Sequence, residues 1–369
     1  MQIDGIHHIS TMTGDGRLAT EFVTGVLGLR LAAKTVNQDS PDMYHLFFTD
    51  EDASAGSDLT MFESRGLPKG RAGAGQVHRI GMRVASPAAL DFWEQRFARY
   101  GVAHRRQAGT LVFADPEGLT FELVVDDSGD PPLRARHPQI PEEVAFRGFD
   151  GVRMYSRHPE LSAGALTAVL GAREVAGPTP LDGAVDGAAA GDAAADGANA
   201  GGAGADGGAI GNGAATDEVL SRYELRSDRR GGLVTIDRAP DVRPLQGAGT
   251  VHHVAFGIRN DDYEAWLPQV EGQGLRTSGL VDRFYFRSIY FREPGGVLYE
   301  LATDLPGFEA KNPREDWGVK TILPPWLEEH RAAIEANLQP IPDPREDWAE
   351  REAPGRDTAP APSVSGPAA

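Results

Sequence analysis

Apolar and polar residues alternate along this chain in short blocks, and the blocks recur. Ile6-His7-His8-Ile9 opens one unit, Val77-His78-Arg79-Ile80 a second, Phe149-Asp150-Gly151-Val152 a degenerate third, and Val251-His252-His253-Val254 a fourth. Each opening reads as a strand, and helical spacing of apolar residues follows it. In the first unit Leu18, Phe22, Val26 and Leu29 fall on one helical face. In the second, Ser86 is placed to cap a helix, Pro87 takes its first turn, Leu90, Trp93 and Phe97 face inward, and Gly101 ends it. The fourth unit's helix carries Tyr263, Trp266 and Val270 and is weakened by Pro268.

Strand-rich sequence comes next and closes in a hairpin. Asp115-Pro-Glu-Gly118-Leu-Thr-Phe-Glu122-Leu123 matches Glu293-Pro-Gly-Gly296-Val-Leu-Tyr-Glu300-Leu301 at a constant offset of 178. The pattern therefore predicts four βαβββ modules whose first strands start near residues 3, 76, 148 and 249. A small sheet with one helix cannot bury both of its faces alone, so modules must pair. The expected fold is α+β, with the modules paired into two curved mixed-sheet half-barrels. The expected boundaries are 1–70, 71–130, 145–245 and 246–310, with a C-terminal region over 311–369. That region holds an amphipathic stretch, Trp326 to Leu338, read as a helix packed on the body, and a disordered tail from about Ala353. The pentapeptide PREDW flanks the helix at 313–317 and 344–348, a duplication read as structural.

Composition explains the long third spacing. Between Asp182 and Ala215, 34 residues include 14 Ala, 11 Gly and 5 Asp, and such a stretch buries almost nothing. An insert over 177–215 is expected to be a disordered loop. Its match to a dinucleotide fingerprint, Gly202-Ala-Gly204-Ala-Asp-Gly207, lacks the strand and helix that give the motif meaning. Cys is absent from the 369 residues, which removes disulfides, thiolate metal sites and cysteine nucleophiles and suits a reducing cytoplasm. The net charge of −18 argues against nucleic acid. No signal peptide or membrane span is read from the sequence. Only four cations are Lys (34, 69, 311 and 320), a bias shared by high-salt proteins and GC-rich genomes.

The chemistry lies in the repeat. Successive strand residues point to opposite faces, so one histidine of each pair is expected inside the cup and the other outside. With the second residue inside, His8 and His253 meet Glu300. Two neutral imidazoles and one carboxylate on one face of an ion leave positions open for substrate and O₂, which favours non-haem Fe(II), with Mn(II) as an alternative. The position of His8 is Arg79, Gly151 and His253 in the other units, and the carboxylate occurs only as Glu122 and Glu300. Met61 aligns there in the first unit, and the third has no clear match. One site per chain follows, shared by the first and last units. Glu122 is expected to pair with Arg79 where a metal site has been lost. The remaining histidines, His45 among them, show no pattern and are read as structural.

The segments GIHHIS, GVLGLRLAAKTVNQD, GTVHHVAFGI, DRFYFRSIYFREPGGVLYELATDLPGF and LPPWLEEHR resemble the vicinal oxygen chelate superfamily, and within it the hydroquinone-type ring-cleaving dioxygenases. The resemblance spans nearly the whole chain outside the insert and tail. It implies iron held by His8, His253 and Glu300, and a pocket lined by Tyr290 and Arg283 with His7, Ser10 and His252 around it. Ser10 stands where the family usually has Thr. The implied partners are a small aromatic diol and O₂, and a homo-oligomer is compatible with this reading. Tyr290 and His252 suit proton transfer, and Arg283 suits an anionic oxygen. Two other readings stay open: a glyoxalase-like isomerase or lyase using Zn²⁺, Ni²⁺ or Co²⁺, which wants a second carboxylate, and a metal-free binding protein of the same fold.

Overall fold

The computed structural model describes residues 1–107, 109–176, 218–346 and 348. The Ala/Gly insert and the tail from Ala353 lie outside these residues.

Four stretches run strand, helix and three strands. The first contains β1 (Ile3–Thr13), α1 (Gly16–Thr20), β2 (Arg30–Asn37), β3 (Ser40–Thr49) and β4 (Asp58–Glu63). The second contains β5 (Gln76–Val84), α2 (Pro87–Tyr100), β6 (His104–Gln107), β7 (Thr110–Ala114) and β8 (Thr120–Val125). The third contains β9 (Phe149–Tyr155), α3 (Pro159–Ala168), β10 (Arg173–Glu174), β11 (Val219–Arg226) and β12 (Gly231–Asp237). The fourth contains β13 (Thr250–Ile258), α4 (Tyr263–Glu271), β14 (Val281–Asp282), β15 (Arg287–Arg292) and β16 (Leu298–Thr303).

Two eight-stranded mixed sheets result. One has the order β14-β15-β16-β13-β1-β4-β3-β2 and joins the two ends of the chain; the other has the order β10-β11-β12-β9-β5-β8-β7-β6. Antiparallel β1–β13 and β5–β9 pairs form the seams, while the first and last strands within each stretch pair in parallel. The sheets approach each other where Gly5, at φ +66°, faces Gly231. A Cβ on Gly5 would stand 2.2 Å from the Gly231 carbonyl oxygen, so only glycine fits.

Helix α2 follows its pattern. Ser86 accepts from the Ala89 N–H, Gly101 ends the helix at φ 66°, and Leu90, Trp93 and Phe97 are buried. Helix α4 buries Tyr263, Trp266 and Val270 and contains Pro268. The first helix departs from expectation. After α1 the backbone winds as a π-helical turn over Glu21–Val26, with Leu27 N–H bonding to the Phe22 carbonyl. The wider turn rotates the buried face, so Val23 and Leu27 join the core and Leu18 is only half-buried.

The C-terminal stretch forms a 3₁₀ segment over Pro325–His330 and α5 (Arg331–Asn337), shorter than the continuous helix expected. Ile334, Leu338 and Ile341 are buried, whereas Trp326 is exposed. Proline opens the 3₁₀ segment, and Arg331 at the junction pairs with Glu328 before it and Glu335 after it. The PREDW copies are structural in their contacts: Trp317 is buried beneath Arg30, and Arg345 pairs with Glu51, which also holds Arg30. Among the described residues no helix is long and apolar enough to cross a membrane.

Candidate metal centre

The β1–β13 seam brings together residues 245 positions apart. His8 Nε2 lies 3.3 Å from His253 Nε2 and 3.1 Å from Glu300 Oε2. His253 Nε2 lies 2.8 Å from the same oxygen. All three side chains are buried, and their ligand atoms lie within 4.8 Å of one another. Ala255 is the register partner of both His8 and Glu300, so a single methyl separates them on the sheet and leaves room for an ion. The donor set, two imidazoles and one carboxylate closing on a common point, fits a divalent cation. Glu300 Oε1 accepts from the Ser288 hydroxyl, while Oε2 takes no hydrogen bond from outside the triad.

Electrostatics agree with ligation. Burial alone would raise the Glu300 carboxyl, but the two imidazoles outweigh it and hold it well below the usual carboxylate range. Burial also opposes charge on both imidazoles; Glu300 prevails at His8, whose pKa is raised, and not at His253, whose pKa is lowered. Glu300 is therefore the anion of the group, and metal ligation requires both imidazoles neutral.

Each ligand histidine touches its neighbour in sequence, which strict alternation forbids. The cause is a pair of β-bulges: the register skips one residue on β1 between Ile6 and His8, and one on β13 between Val251 and His253. The extra residues are His7 and His252. Their Nδ1 atoms sit 2.9 Å and 2.7 Å from the Nδ1 atoms of His8 and His253. The expected one-in, one-out arrangement is thus corrected for His7 and His8, both buried, and holds by exposure for His252 and His253. Burial, then the adjacent His8, lowers His7 to about 3, so it is neutral. A ligand binding through Nε2 donates its Nδ1–H to the neighbour's Nδ1. The proton of His7 then sits on Nε2, facing Asp304 at 3.7 Å, and Asp304 is held by Arg229 and Arg230 at 2.8 Å each. His252 stands exposed.

Tyr290 pairs with Glu300 across β15 and β16, and its ring meets that of His253 edge-on at 5.6 Å. Burial pushes its phenol well up, so it stays protonated. Arg283 donates from Nε to the Tyr290 oxygen at 3.2 Å and pairs through Nη1 with exposed Asp39 at 2.9 Å. Ser10 meets Thr60 hydroxyl to hydroxyl at 2.7 Å, and Thr60 reaches His45 Nε2 at 3.1 Å.

Thr60 also corrects an alignment. Ala255 pairs with Glu300, and its repeat equivalent, Ser10, pairs with Thr60, so Thr60 and not Met61 stands in the place of Glu300. Met61 points the other way, into the core. In the third stretch the same count from Arg153 reaches Thr235. His45, read as structural from the sequence, packs between Phe47 and Phe62 at 4.0 Å and 4.2 Å and closes the Ser10–Thr60 chain. Its alternation with Phe47 on β3 was the available signal. In the other sheet Arg79 faces Glu122 at 3.5 Å, as expected of a lost site.

Two curved sheets, with a buried His/His/Glu group on the β1, β13 and β16 strands of one of them, define a class of fold with a candidate divalent-metal centre built from the chain's two ends. The model of the Glyoxalase/Bleomycin resistance protein/Dioxygenase superfamily matches residues 5–123. A protein of Bacillus subtilis (strain 168), MhqA, classed by name among ring-cleaving dioxygenases, is 37% identical over 92% of this chain and 100% of its own. A chlorohydroquinone/hydroquinone 1,2-dioxygenase of Sphingobium indicum is 31% identical over 89% of this chain and 93% of its own. A solved B. subtilis structure, classed by name as a dioxygenase, superposes with TM-score 0.76 at 30% identity, covering 92% of this chain and 98% of that one. A glyoxalase I variant of Zea mays, at 14% identity and TM-score 0.51 over 81% of this chain and 92% of its own, shares the fold. The chain belongs to the glyoxalase/bleomycin resistance/dioxygenase superfamily, also called vicinal oxygen chelate, and is homologous to its ring-cleaving dioxygenases.

Proposed function

We propose that the protein is an Fe(II)-dependent ring-cleaving dioxygenase that inserts both atoms of O₂ into a hydroquinone- or catechol-type aromatic, with Mn(II) able to occupy the same donor set. The observation that carries this reading is the convergence of His8, His253 and Glu300 on one point; among the described residues no second carboxylate joins that group, and Thr60 fills the place equivalent to Glu300. Bound there, Fe(II) supplies a template for diol and O₂ and relieves the spin barrier between them.

The chain's own groups carry the rest. His8, His253 and Glu300, on neighbouring strands of one sheet, would hold the ion. Tyr290, buried and protonated beside Glu300, holds a proton at its phenol oxygen where the diol loses or regains one. Arg283, already donating to that oxygen, neutralises an anionic substrate oxygen. His252, exposed and bonded to His253, offers a route for the proton to solvent. Ser10, with Thr60 and His45, fixes the wall beside His253, while His7 fixes the ring of His8. Phe47, Phe286 and Phe308 form an apolar cluster with Ala255 and Ala302 that excludes bulk water.

Anaerobically purified protein loaded with Fe(II) is expected to consume one O₂ per ring opened and to place both atoms of ¹⁸O₂ in the product. Silence across a broad set of hydroquinones and catechols defeats the proposal.

A further inference from the structure

A cavity of about 400 Å³ lies between the two sheets and is lined by neighbours of His8, not by the triad itself. Three of its lining residues touch or flank His8. His7 bonds to it through Nδ1, Asp58 is its register partner on β4, and the Phe286 ring lies 5.0 Å from the His8 ring. Asp58 shares the face of His8, because Ser10 and Thr60, two residues further along the same two strands, bond to each other on that face.

The wall is mixed: Ile6, Leu133, Phe149 and Phe308 supply apolar surface, and charged side chains supply much of the rest. Its cations are already engaged. Arg229 and Arg230 hold Asp304, and Arg83 holds Asp126. Two groups are not. Both carboxylate oxygens of Asp58 and the hydroxyl of Tyr285 are buried without a hydrogen-bond partner, at 1% and 2% exposure. A buried carboxylate left unpaired is costly, and the cavity that Asp58 lines can admit a donor to it.

The geometry points to Asp58 as the acceptor for the second hydroxyl of the diol, with Tyr285 lining the same cavity, so that Asp58 is a specificity-determining residue. This rests on the aromatic-diol reading above. An ortho-diol presents both oxygens on one side of its ring and needs no distant acceptor. A diol with hydroxyls on opposite sides sends the second away from the metal-facing oxygen, where most charged groups of the wall are already paired. Asp58 supplies that partner and selects the latter.

The test uses the Fe(II)-loaded full chain with hydroquinone, 4-methoxyphenol and catechol, and the variants Asp58→Ala, Asp58→Asn and Tyr285→Phe. O₂ uptake gives KM and kcat; quenching of intrinsic fluorescence under anaerobic conditions gives binding without turnover. Asp58→Ala is expected to raise KM for hydroquinone about 10-fold with little change in kcat, and the wild type to show a similar penalty for 4-methoxyphenol. Asp58→Asn, which keeps an acceptor and the shape of the site, recovers part of the loss, and catechol is unaffected. Unchanged hydroquinone KM in Asp58→Ala, or in Asp58→Asn and Tyr285→Phe together should the alanine variant not fold, overturns the inference. If the wild type consumes no O₂ with any diol, the dioxygenase reading falls. Hydroquinone quenching that is equal in wild type and variants then overturns the role of Asp58 separately.

Discussion

Thr60 occupies in the first repeat the place that Glu300 occupies in the fourth. Each is the parallel-register partner of the residue two positions past a ligand histidine, Ser10 after His8 and Ala255 after His253. The centre is thus a two-fold arrangement with one carboxylate replaced by a hydroxyl. Thr60→Glu is expected to restore a fourth ligand. Metal analysis after dialysis against mixed divalent ions should show Zn²⁺, Ni²⁺ or Co²⁺ retained in place of iron, and O₂ uptake should fall by roughly 100-fold or more as open positions are lost. Wild-type uptake in this variant would mean that residue 60 does not face the ion.

The Nδ1 contacts of His7 and His252 set the orientation of the ligand rings. His7→Leu removes the acceptor of the His8 Nδ1–H and cuts the link to Asp304. Its metal affinity, measured by competition with a chelator, is expected to fall about 10- to 100-fold. His252→Leu should lose less, because His252 is exposed and water can take its place.

Both the repeat and the triad are legible in the sequence, and the reasons are local. Strand and helix periods survive in each unit, and the hairpins ending in Leu123 and Leu301 match residue for residue. Two His-His pairs at equivalent positions then single out one set of ligands. What is not legible depends on pairing between distant strands. The bulges at His7 and His252 exist only in the register of β1 against β13, and no local pattern encodes them. Thr60 was hidden for the same reason, since identifying it needs the β1–β4 register and not a count along the hairpin. His45 enters through β3–β4 pairing. The π-helical turn is a choice of backbone hydrogen bond that apolar spacing alone does not specify.

Trp93 tests the second sheet independently of the metal. It is fully buried, stacks on Phe146 at 4.2 Å, and donates from Nε1 to the Val144 carbonyl at 2.8 Å. Trp93→Ala leaves a large void and an unpaired carbonyl, so a loss of about 3–5 kcal/mol in denaturant unfolding is expected. The folded fraction should keep its full metal content, because Trp93 lies on α2 against the second sheet whereas His8, His253 and Glu300 lie on strands of the first. A proportional fall in metal content per folded chain would refute that separation.

Acid sensitivity should arise in part from Asp237. Its carboxylate is fully buried and accepts from His78 at 2.8 Å and twice from Arg153, each at 2.8 Å. Burial alone would raise its pKa, but these donors outweigh it and bring it below the ordinary 3.8. A carboxyl whose folded pKa is depressed adds stability that is fully present above the unfolded value and is lost as pH falls toward the folded one. Above about pH 5 the contribution is therefore complete, and below pH 4 it declines. Asp237→Asn removes the titrating group, so its gap in urea midpoint from the wild type should be widest near neutrality and narrow steadily between pH 5 and 3. A gap that stays constant over that interval would show that the carboxylate's pairing with His78 and Arg153 does not set the acid limit.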